Sequence, residues 1–283
     1  MPVNGSVPVS PTQTTTYTVA VTNSGGTASA SVKVAVAQML LQITSPLDGD
    51  LITHPKTLVH GTIANSTGIE TGVVVNGVPA IISGNEFVAN GVNLEEGSNI
   101  ITAVATDTQG NTSSHSIQVT LDTYDKYLQL TANTYSSVPP FETTLIMNGT
   151  FSFADASLSY SGPGEVEFLP GANGQEQAVR MTTEGVYRFT AEAVDAQNNV
   201  YSDTVAIVVV NRNELDQLFK GKWNGMKAKL AAGATEEALG YFLDGSRERY
   251  RTAFTDLADI LPQIVAEMQD IQMIHCNDAS VRA

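Results

Sequence analysis

Residues Asn99–Leu121 read NIITAVATDTQGNTSSHSIQVTL: an alternating strand, a polar turn opening at Asp107, then a second alternating strand. Strict alternation is the signature of a strand with one face on a core. The plan recurs in YTVAVTNSGGTASASVKVAV (Tyr17–Val36) and YRFTAEAVDAQNNVYSDTVAIVVV (Tyr187–Val210), with turns opening at Asn23 and Asp195. From Asn23 to Asp107 is 84 residues, and from Asp107 to Asp195 is 88. A repeat of that period, each copy closing on a hairpin, specifies tandem β-sandwich domains of roughly 100 residues. Arrays of this kind are usually stalks and spacers. The pattern carries a fold class and no chemistry of its own.

Working outward, the 283 residues have room for two or three domains. The single cysteine, Cys276, rules out an intrachain disulfide. Secretion stays open, because domains of this size fold without staples. Net charge is −15, unevenly spread. Residues 1–211 hold five basic side chains (Lys33, Lys56, Lys126, Arg180, Arg188) against 18 acidic ones; residues 212–283 hold nine against 11. So few cations cannot neutralise phosphates, which argues against nucleic acid and anionic membrane as partners. Acidity of this degree keeps an exposed protein soluble. The longest purely apolar run, Val205–Val210, is strand length and far below the ~20 residues of a membrane span. The opening MPVNGSVPVSPTQTTT has neither a basic nor an apolar region of a signal peptide. The expectation is an internal piece of a longer exported chain, in which Met1 is not the biological start.

Four segments follow. Residues 1–38 supply a hairpin around Asn23-Ser24-Gly25-Gly26, with Tyr17, Val19 and Val21 alternating on one strand and Val32, Val34 and Val36 on the other. They read as the last hairpin of a partial domain. Residues 39–122 carry LQITSPLDGDLI (a strand and a turn), LVHGTIAN, a hairpin of Val73–Val75, Asn76-Gly77 and Val78–Ile82, the strand EFVANGVNL, and the Asn99–Leu121 hairpin. Seven or so short strands with turns every 8–12 residues match an immunoglobulin-like sandwich. Residues 123–211 form another sandwich, Gly- and Pro-rich between Asp155 and Glu176; Tyr187 reads as a core residue, with a tyrosine-corner role as the alternative. In 212–283 the Thr/Val alternation gives way to Ala, Leu, Met, Lys and Arg. Asn213 reads as the N-cap of a helix carrying Leu215, Leu218, Phe219, Trp223, Met226 and Leu230 and closed by Gly233. Thr235 caps a short second helix that Asp244-Gly245 breaks; Ser246 starts a third, Pro262 restarts the helix, and a strand runs from Ile271 to His275. The fold class is mainly β: tandem immunoglobulin-like sandwiches followed by a helical, incomplete α+β region.

Three resemblances accompany this reading. The Ser45-Pro46…Gly49 opening, the Val75-Asn76-Gly77-Val78 hairpin, the turn Leu94–Asn99 and the turn Ala105…Asp107…Gly110-Asn111 closely resemble the bacterial immunoglobulin-like domain of the glucodextranase B type. That resemblance implies a secreted or surface multidomain protein, sometimes joined to a polysaccharide hydrolase, and no catalytic residues. LQLTANTYSSVPPFETTLIMN and GVYRFTAEAVDAQNNVYSDTVAIVVV resemble the start and end of a PKD-type domain, with Asn198 where a glycine is usual. WNGMKAKLAAGATEEALGYF and the helices after it are similar to the opening of nuclear-transport-factor-like cone folds, with Gly233-Ala234 in place of the usual Gly-Asp.

Candidate sites are few. Asp107-Thr108-Gln109-Gly110-Asn111 offers oxygens at i, i+2 and i+4, as a calcium loop does, but has one carboxylate and no distal acid; an Asx-turn accounts for Asp107 as well. The Asp195 turn is read alike. His54, His60, His115 and His275 lack zinc-ligand spacing, and Cys276 stands alone. His54 and His60 read as surface residues. His275 and Cys276, adjacent on a strand, point to opposite faces and cannot form a nucleophile pair. No nucleophile-elbow, phosphate-loop, dinucleotide or zinc-protease motif is present. Glu95-Glu96 sits in a turn and Glu236-Glu237 at a helix start, so neither pair needs a glycosidase reading. Trp223 reads as core, and Tyr124, Tyr127 and Tyr135 as hinge packing rather than a sugar platform. The sequons at Asn65, Asn111 and Asn148 are the chance product of Ser/Thr/Asn-rich turns. The expectation is therefore no enzyme, no cofactor and no metal site. The chain reads as a structural spacer of a bacterial secreted or cell-surface protein, whose partners are neighbouring domains. The rival is an adhesion module that binds carbohydrate or a surface protein.

Overall fold

The computed structural model describes residues 6–9, 11, 14–34, 39–66, 69–123, 126–170 and 174–273. β1 (Thr15–Asn23) and β2 (Gly26–Val34) form an antiparallel hairpin in register from Asn23↔Gly26 to Thr15↔Val34. Its polar face is laced by hydroxyl pairs, Thr18–Ser31 and Thr22–Thr27, each at 2.8 Å. On its apolar face Val19, Val21 and Val32 are 60 to 66% exposed.

The next strands are β3 (Met39–Ser45), β4 (Leu51–Ile52), β5 (Lys56–Asn65), β6 (Thr71–Val75), β7 (Val78–Pro79), β8 (Ile81–Ser83), β9 (Glu86–Asn93), β10 (Gly97–Asp107) and β11 (Thr112–Leu121). They make two sheets, ordered β4-β11-β10-β6-β7 and β3-β5-β9-β8. Alternate residues turn inward, so Leu41, Ile43, Val59 and Phe87 of one sheet meet Val75, Ile101, Ile117 and Val119 of the other in one core. Each such side chain stabilises the fold by about 1.5–3 kcal/mol. Asn76 (φ 45°) and Gly77 (φ 84°) make the primed turn that Asn-Gly favours. The expected strand Val78–Ile82 is two strands. Val78-Pro79 pairs with β6, and Ile81–Ser83 pairs with β9 in the other sheet. The Ala80 N–H still donates to the Val73 carbonyl at 2.9 Å, and the chain crosses to the other sheet directly after it.

β12 (Leu128–Ala132), β13 (Ser136–Ser137), β14 (Phe141–Gly149), β15 (Asp155–Ser161), β16 (Val166–Leu169), β17 (Glu176–Met181), β18 (Gly185–Val194) and β19 (Val200–Val209) form the sheets β12-β14-β17-β16 and β13-β19-β18-β15. Tyr187, at the start of β18, is fully buried, and its hydroxyl donates to the Thr183 carbonyl at 3.0 Å. That back-bond is the tyrosine-corner geometry, so Tyr187 is more than the plain core residue expected. The chain divides into two compact units: 1–130 with 147–159 and 189–206, and 131–146 with 160–188 and 207–283.

Within the second unit the chain turns helical: α1 (Arg212–Ala231), α2 (Thr235–Ala238), a 3-10 turn at Leu239–Tyr241, α3 (Asp244–Asp256) and α4 (Leu261–Glu267). Met226, Leu230, Leu239, Phe254, Leu261 and Val265 form their core. The sequence misplaced three starts. Asn211, not Asn213, caps α1, because its Oδ1 accepts from the Glu214 N–H at 2.9 Å. Ala234 precedes α2, with Thr235 already helical. Asp244-Gly245 opens α3 instead of breaking a helix, and Ser246 turns its hydroxyl back to the Leu243 carbonyl. Gly233 (φ 71°) closes α1 and Pro262 lies in the first turn of α4, as expected. The strand expected from Ile271 is not formed at 271–273. There the Met273 carbonyl accepts from Arg212 and its N–H donates to Asp216, each at 3.3 Å, so side chains of α1 take its backbone groups. The remainder of that strand, the turn Asn277-Asp278 and the strand Ala279–Arg282 lie outside the described residues.

Candidate functional site

The two long hairpins of the sandwiches end in the same turn, spelled Asp-x-Gln-x-Asn: Asp107 to Asn111 and Asp195 to Asn199. The fourth position takes positive φ, 83° at Gly110 and 63° at Asn198. This is why asparagine, which tolerates the left-handed region, can stand where glycine is usual. Asp107 Oδ1 accepts the N–H groups of Gln109 and Asn111 at 2.9 Å each, and Oδ2 accepts the Asn111 side-chain amide at 2.8 Å. Asp195 repeats this with Gln197 N–H, Asn199 N–H and the Asn199 amide at 2.9, 2.9 and 3.1 Å. Its Oδ2 also accepts Lys126 Nζ at 2.7 Å and the Tyr201 hydroxyl at 3.3 Å. The Asn111 amide holds the Asp107 carboxyl below the usual carboxylate range. Lys126 holds Asp195 lower still. The lone pairs a calcium ion would need are thus committed to protein donors, and the carboxylates staple their own turns. In the first hairpin neutral Asn23 performs a reduced version, accepting the Gly25 N–H at 2.7 Å. Among the described residues no three His, Cys, Asp or Glu side chains gather as a metal site.

The other candidates are dispersed. His115 Nδ1 accepts the Ile43 N–H at 3.3 Å, and His60 lies 4.0 Å from Glu86. Glu96 accepts the Thr123 N–H at 3.3 Å, Glu236 pairs with Arg251 at 2.8 Å, and Glu237 pairs with Lys229. Glu236 and Glu237 are therefore divided between separate ion pairs. The amides of Asn65 and Asn111 are engaged with Thr71 and Asp107. Tyr135 accepts the Ala132 N–H at 3.3 Å, and the Tyr127 N–H donates to Thr150. Tyr124, His275 and Cys276 lie outside the described residues. Trp223 stands at the edge of the helical core, its indole N–H donating to the Gln269 carbonyl at 3.0 Å. It lines an open apolar groove of about 700 Å³ with Phe219, Met226, Tyr241, Phe242 and Met273. Within the first unit Phe151 packs on Phe153 and Tyr201, with ring centroids 5.3 and 4.4 Å away, above the Asp195 turn that Tyr201 bonds.

The most constructed feature is one the sequence reading missed, a joint inside the first unit between β9 and β19. Opposite Thr57 and Val59 stand Val92 and Ala89, so β9 carries one extra residue at Asn90-Gly91. Gly91 takes φ 68° there. Such a bulge re-aims the side chain beside it. The Asn90 amide donates to the Ala206 carbonyl and accepts the Ala206 N–H, both at 2.8 Å. Asparagine thereby supplies the two bonds a neighbouring strand would supply. Beside it His54 approaches Asp203 at 3.6 Å. Asp203 is buried, its Oδ2 accepting the Leu130 N–H at 2.7 Å. His54 is thus not the surface residue expected. One signal was available: Asn-Gly inside a strand pattern, where no turn fits, marks a bulge.

No curated protein matches the chain. Among solved structures, the fibronectin(III)-like modules of Clostridium thermocellum CbhA align over 60% of this chain and 94% of their own, at 16% identity and TM-score 0.24. Cadherin domains 1–5 of protocadherin gamma B2 align over 69% of this chain and 44% of theirs, at 12% identity and TM-score 0.25. The titin domains z1z2 align over 62% and 98%, at 10% identity and TM-score 0.24. At the level of families, residues 40–123 match the one described as glucodextranase, domain B.

Proposed function

We propose that the chain is a non-catalytic spacer of a bacterial secreted or cell-surface protein, in which immunoglobulin-like sandwiches, the second of PKD type, set the spacing of neighbouring domains. The observation that carries this reading is the Asn90 amide bonded twice to Ala206, because a spacer needs a joint that fixes one sandwich on the next. The carboxylates at the hairpin turns support it, since they are spent on holding backbone. The match of residues 40–123 to glucodextranase domain B supports an accessory module of an extracellular protein. Residual dipolar couplings on the intact chain test it: residues 39–121 and the β19 region should share one alignment tensor. Independent tensors would remove the stiff-spacer reading.

A second reading is favoured by one feature, the half-buried rings of Phe151, Phe153 and Tyr201, the last bonded to the Asp195 turn. Aromatic faces beside a polar turn suit a sugar, and this reading makes the chain a carbohydrate-binding accessory of a polysaccharide-acting enzyme. A glycan array separates the two. The spacer binds nothing, whereas saturable binding lost in Tyr201→Ala would establish the adhesion module.

A further inference from the structure

The residue that clamps the joint is followed by glycine, Asn90-Gly91. The backbone nitrogen after an asparagine can attack the side-chain amide carbon, and glycine is the residue that hinders this attack least. Gly91 is exposed at the bulge, and nothing stands within 4 Å of the position a Cβ would take there. The amide it would attack is the clamp itself. Nδ2 donates to the Ala206 carbonyl and Oδ1 accepts the Ala206 N–H, both at 2.8 Å. While both bonds hold, the amide cannot turn back toward Gly91, so attack waits for the joint to open. The other described Asn-Gly pairs are placed differently. The Asn76 amide is held inside its own sheet, by the Ile100 carbonyl at 3.0 Å and the Thr102 N–H at 2.9 Å. Asn148-Gly149 ends β14, and Asn224-Gly225 lies within α1. Asn90 is the one bonded across the joint, to a residue 116 positions away.

We propose that Asn90-Gly91 is a site of spontaneous deamidation, and that its conversion irreversibly releases the joint between β9 and β19. The proposal rests on the spacer reading, because it acts on that joint. The Gly91 nitrogen bonds to Asn90 Cγ, the Cγ–Nδ2 bond breaks, and ammonia leaves with the Gly91 proton. Water then opens the cyclic imide to aspartate or to its β-linked isomer. In the aspartate form an oxygen without a proton replaces Nδ2 and faces the Ala206 carbonyl, lone pair against lone pair. Two bonds become one bond and a repulsion. In the β-linked form an extra backbone carbon shifts the carboxyl away from the place where the bulge aims it. Neither product returns to the amide, so a joint that opens often loosens for good.

The intact chain is aged near neutral pH, both folded and unfolded in urea, and peptide mapping by mass spectrometry follows conversion of amide to acid at Asn90. The folded chain should convert, but at least about tenfold more slowly than the unfolded one, because attack waits for opening. Hydrogen exchange of the Ala206 amide, read by NMR and corrected for intrinsic exchange, reports the joint. Asn90→Asp should lower its protection factor roughly tenfold, as the loss of one hydrogen bond predicts. The converted fraction of the aged chain, separated by its added negative charge, should show the same drop and replaces the variant should that fail to fold. Equal conversion rates in the folded and unfolded chains would overturn the proposal. So would an Asn90 that stays intact in the folded chain after the unfolded chain has fully converted, or full Ala206 protection in Asn90→Asp. Free exchange of the Ala206 amide in the fresh natural chain is a different result: it would remove the joint itself, and the spacer reading with it.

Discussion

Gly61, in the middle of β5, is where the first sandwich is least able to accept another atom. A Cβ built there would overlap the Gln42 carbonyl oxygen of β3 and lie 2.7 Å from two carbons of the Phe87 ring. Phe87 is fully buried and cannot swing away without displacing Val59 and Ile101 around it. The carbonyl is backbone and moves only with its strand. Overpacking of this kind costs about 1–3 kcal/mol, and a backbone clash belongs at the upper end. Alanine itself returns ~0.4–1 kcal/mol by restricting the unfolded chain. The net expectation for Gly61→Ala is a loss of about 2 kcal/mol, or roughly 8–16 °C in the melting temperature of a domain this size. Gly72 is the internal control. It lies in the same sandwich, and nothing stands within 4 Å of its Cβ position. Gly72→Ala should be neutral or slightly stabilising. The assay is calorimetry of the intact chain, with hydrogen exchange of Lys56–Asn65 and Glu86–Asn93 assigning the transition to this sandwich. Adding Phe87→Leu should recover the ring part of the loss and not the carbonyl part. If Gly61→Ala and Gly72→Ala melt alike, the close approach of β3 and Phe87 to Gly61 is wrong.

Tyr187→Phe should cost about 1 kcal/mol, because the Thr183 carbonyl loses its donor while the ring still packs; calorimetry of the second sandwich measures it. The carboxyls of Asp107 and Asp195 are lowered in the fold, so their stabilisation is complete above the ordinary carboxylate value of about 3.9, declines progressively as pH falls below it, and is gone below the lower folded values. Asp195→Asn should therefore be clearly destabilising in urea at pH 7 and much less so near pH 2. Melting with calcium and with chelator should coincide, since both turn carboxylates are filled by N–H donors; a calcium-dependent rise following mass action would reassign the turns as ion sites.

The sandwiches were legible because their signal is local and periodic. Alternation put Val59, Val75, Ile101 and Val119 inward in one step, and Asn76-Gly77 named its own turn. The helical segment was legible in existence but not in its boundaries. Three polar residues near its start, Asn211, Asn213 and Glu214, suit a first turn almost equally, and only the bond from Asn211 to the Glu214 N–H chooses the cap. The break in Val78–Ile82 was hidden because Pro79 between apolar residues fits an edge strand as well as a crossing between sheets.

The turns and the joint show where such legibility stops. Asp107 bonds to residues two and four positions ahead, so the motif and the structure it holds occupy the same five letters. Asn90 bonds to Ala206, 116 positions away, and Ala206 offers only its backbone, which every residue except proline has in full. No residue type at position 206 could have announced the contact. What the sequence does record is the device that aims Asn90, the glycine after it at φ 68°. A Gly91→Ala change leaves all side-chain contacts of the joint intact on paper, yet it should strain the bulge by about 1 kcal/mol and turn the amide off Ala206. Loss of Ala206 amide protection in Gly91→Ala, with Asn90 still present, would show that the backbone bulge makes the joint. Full protection would mean that the amide finds Ala206 without it.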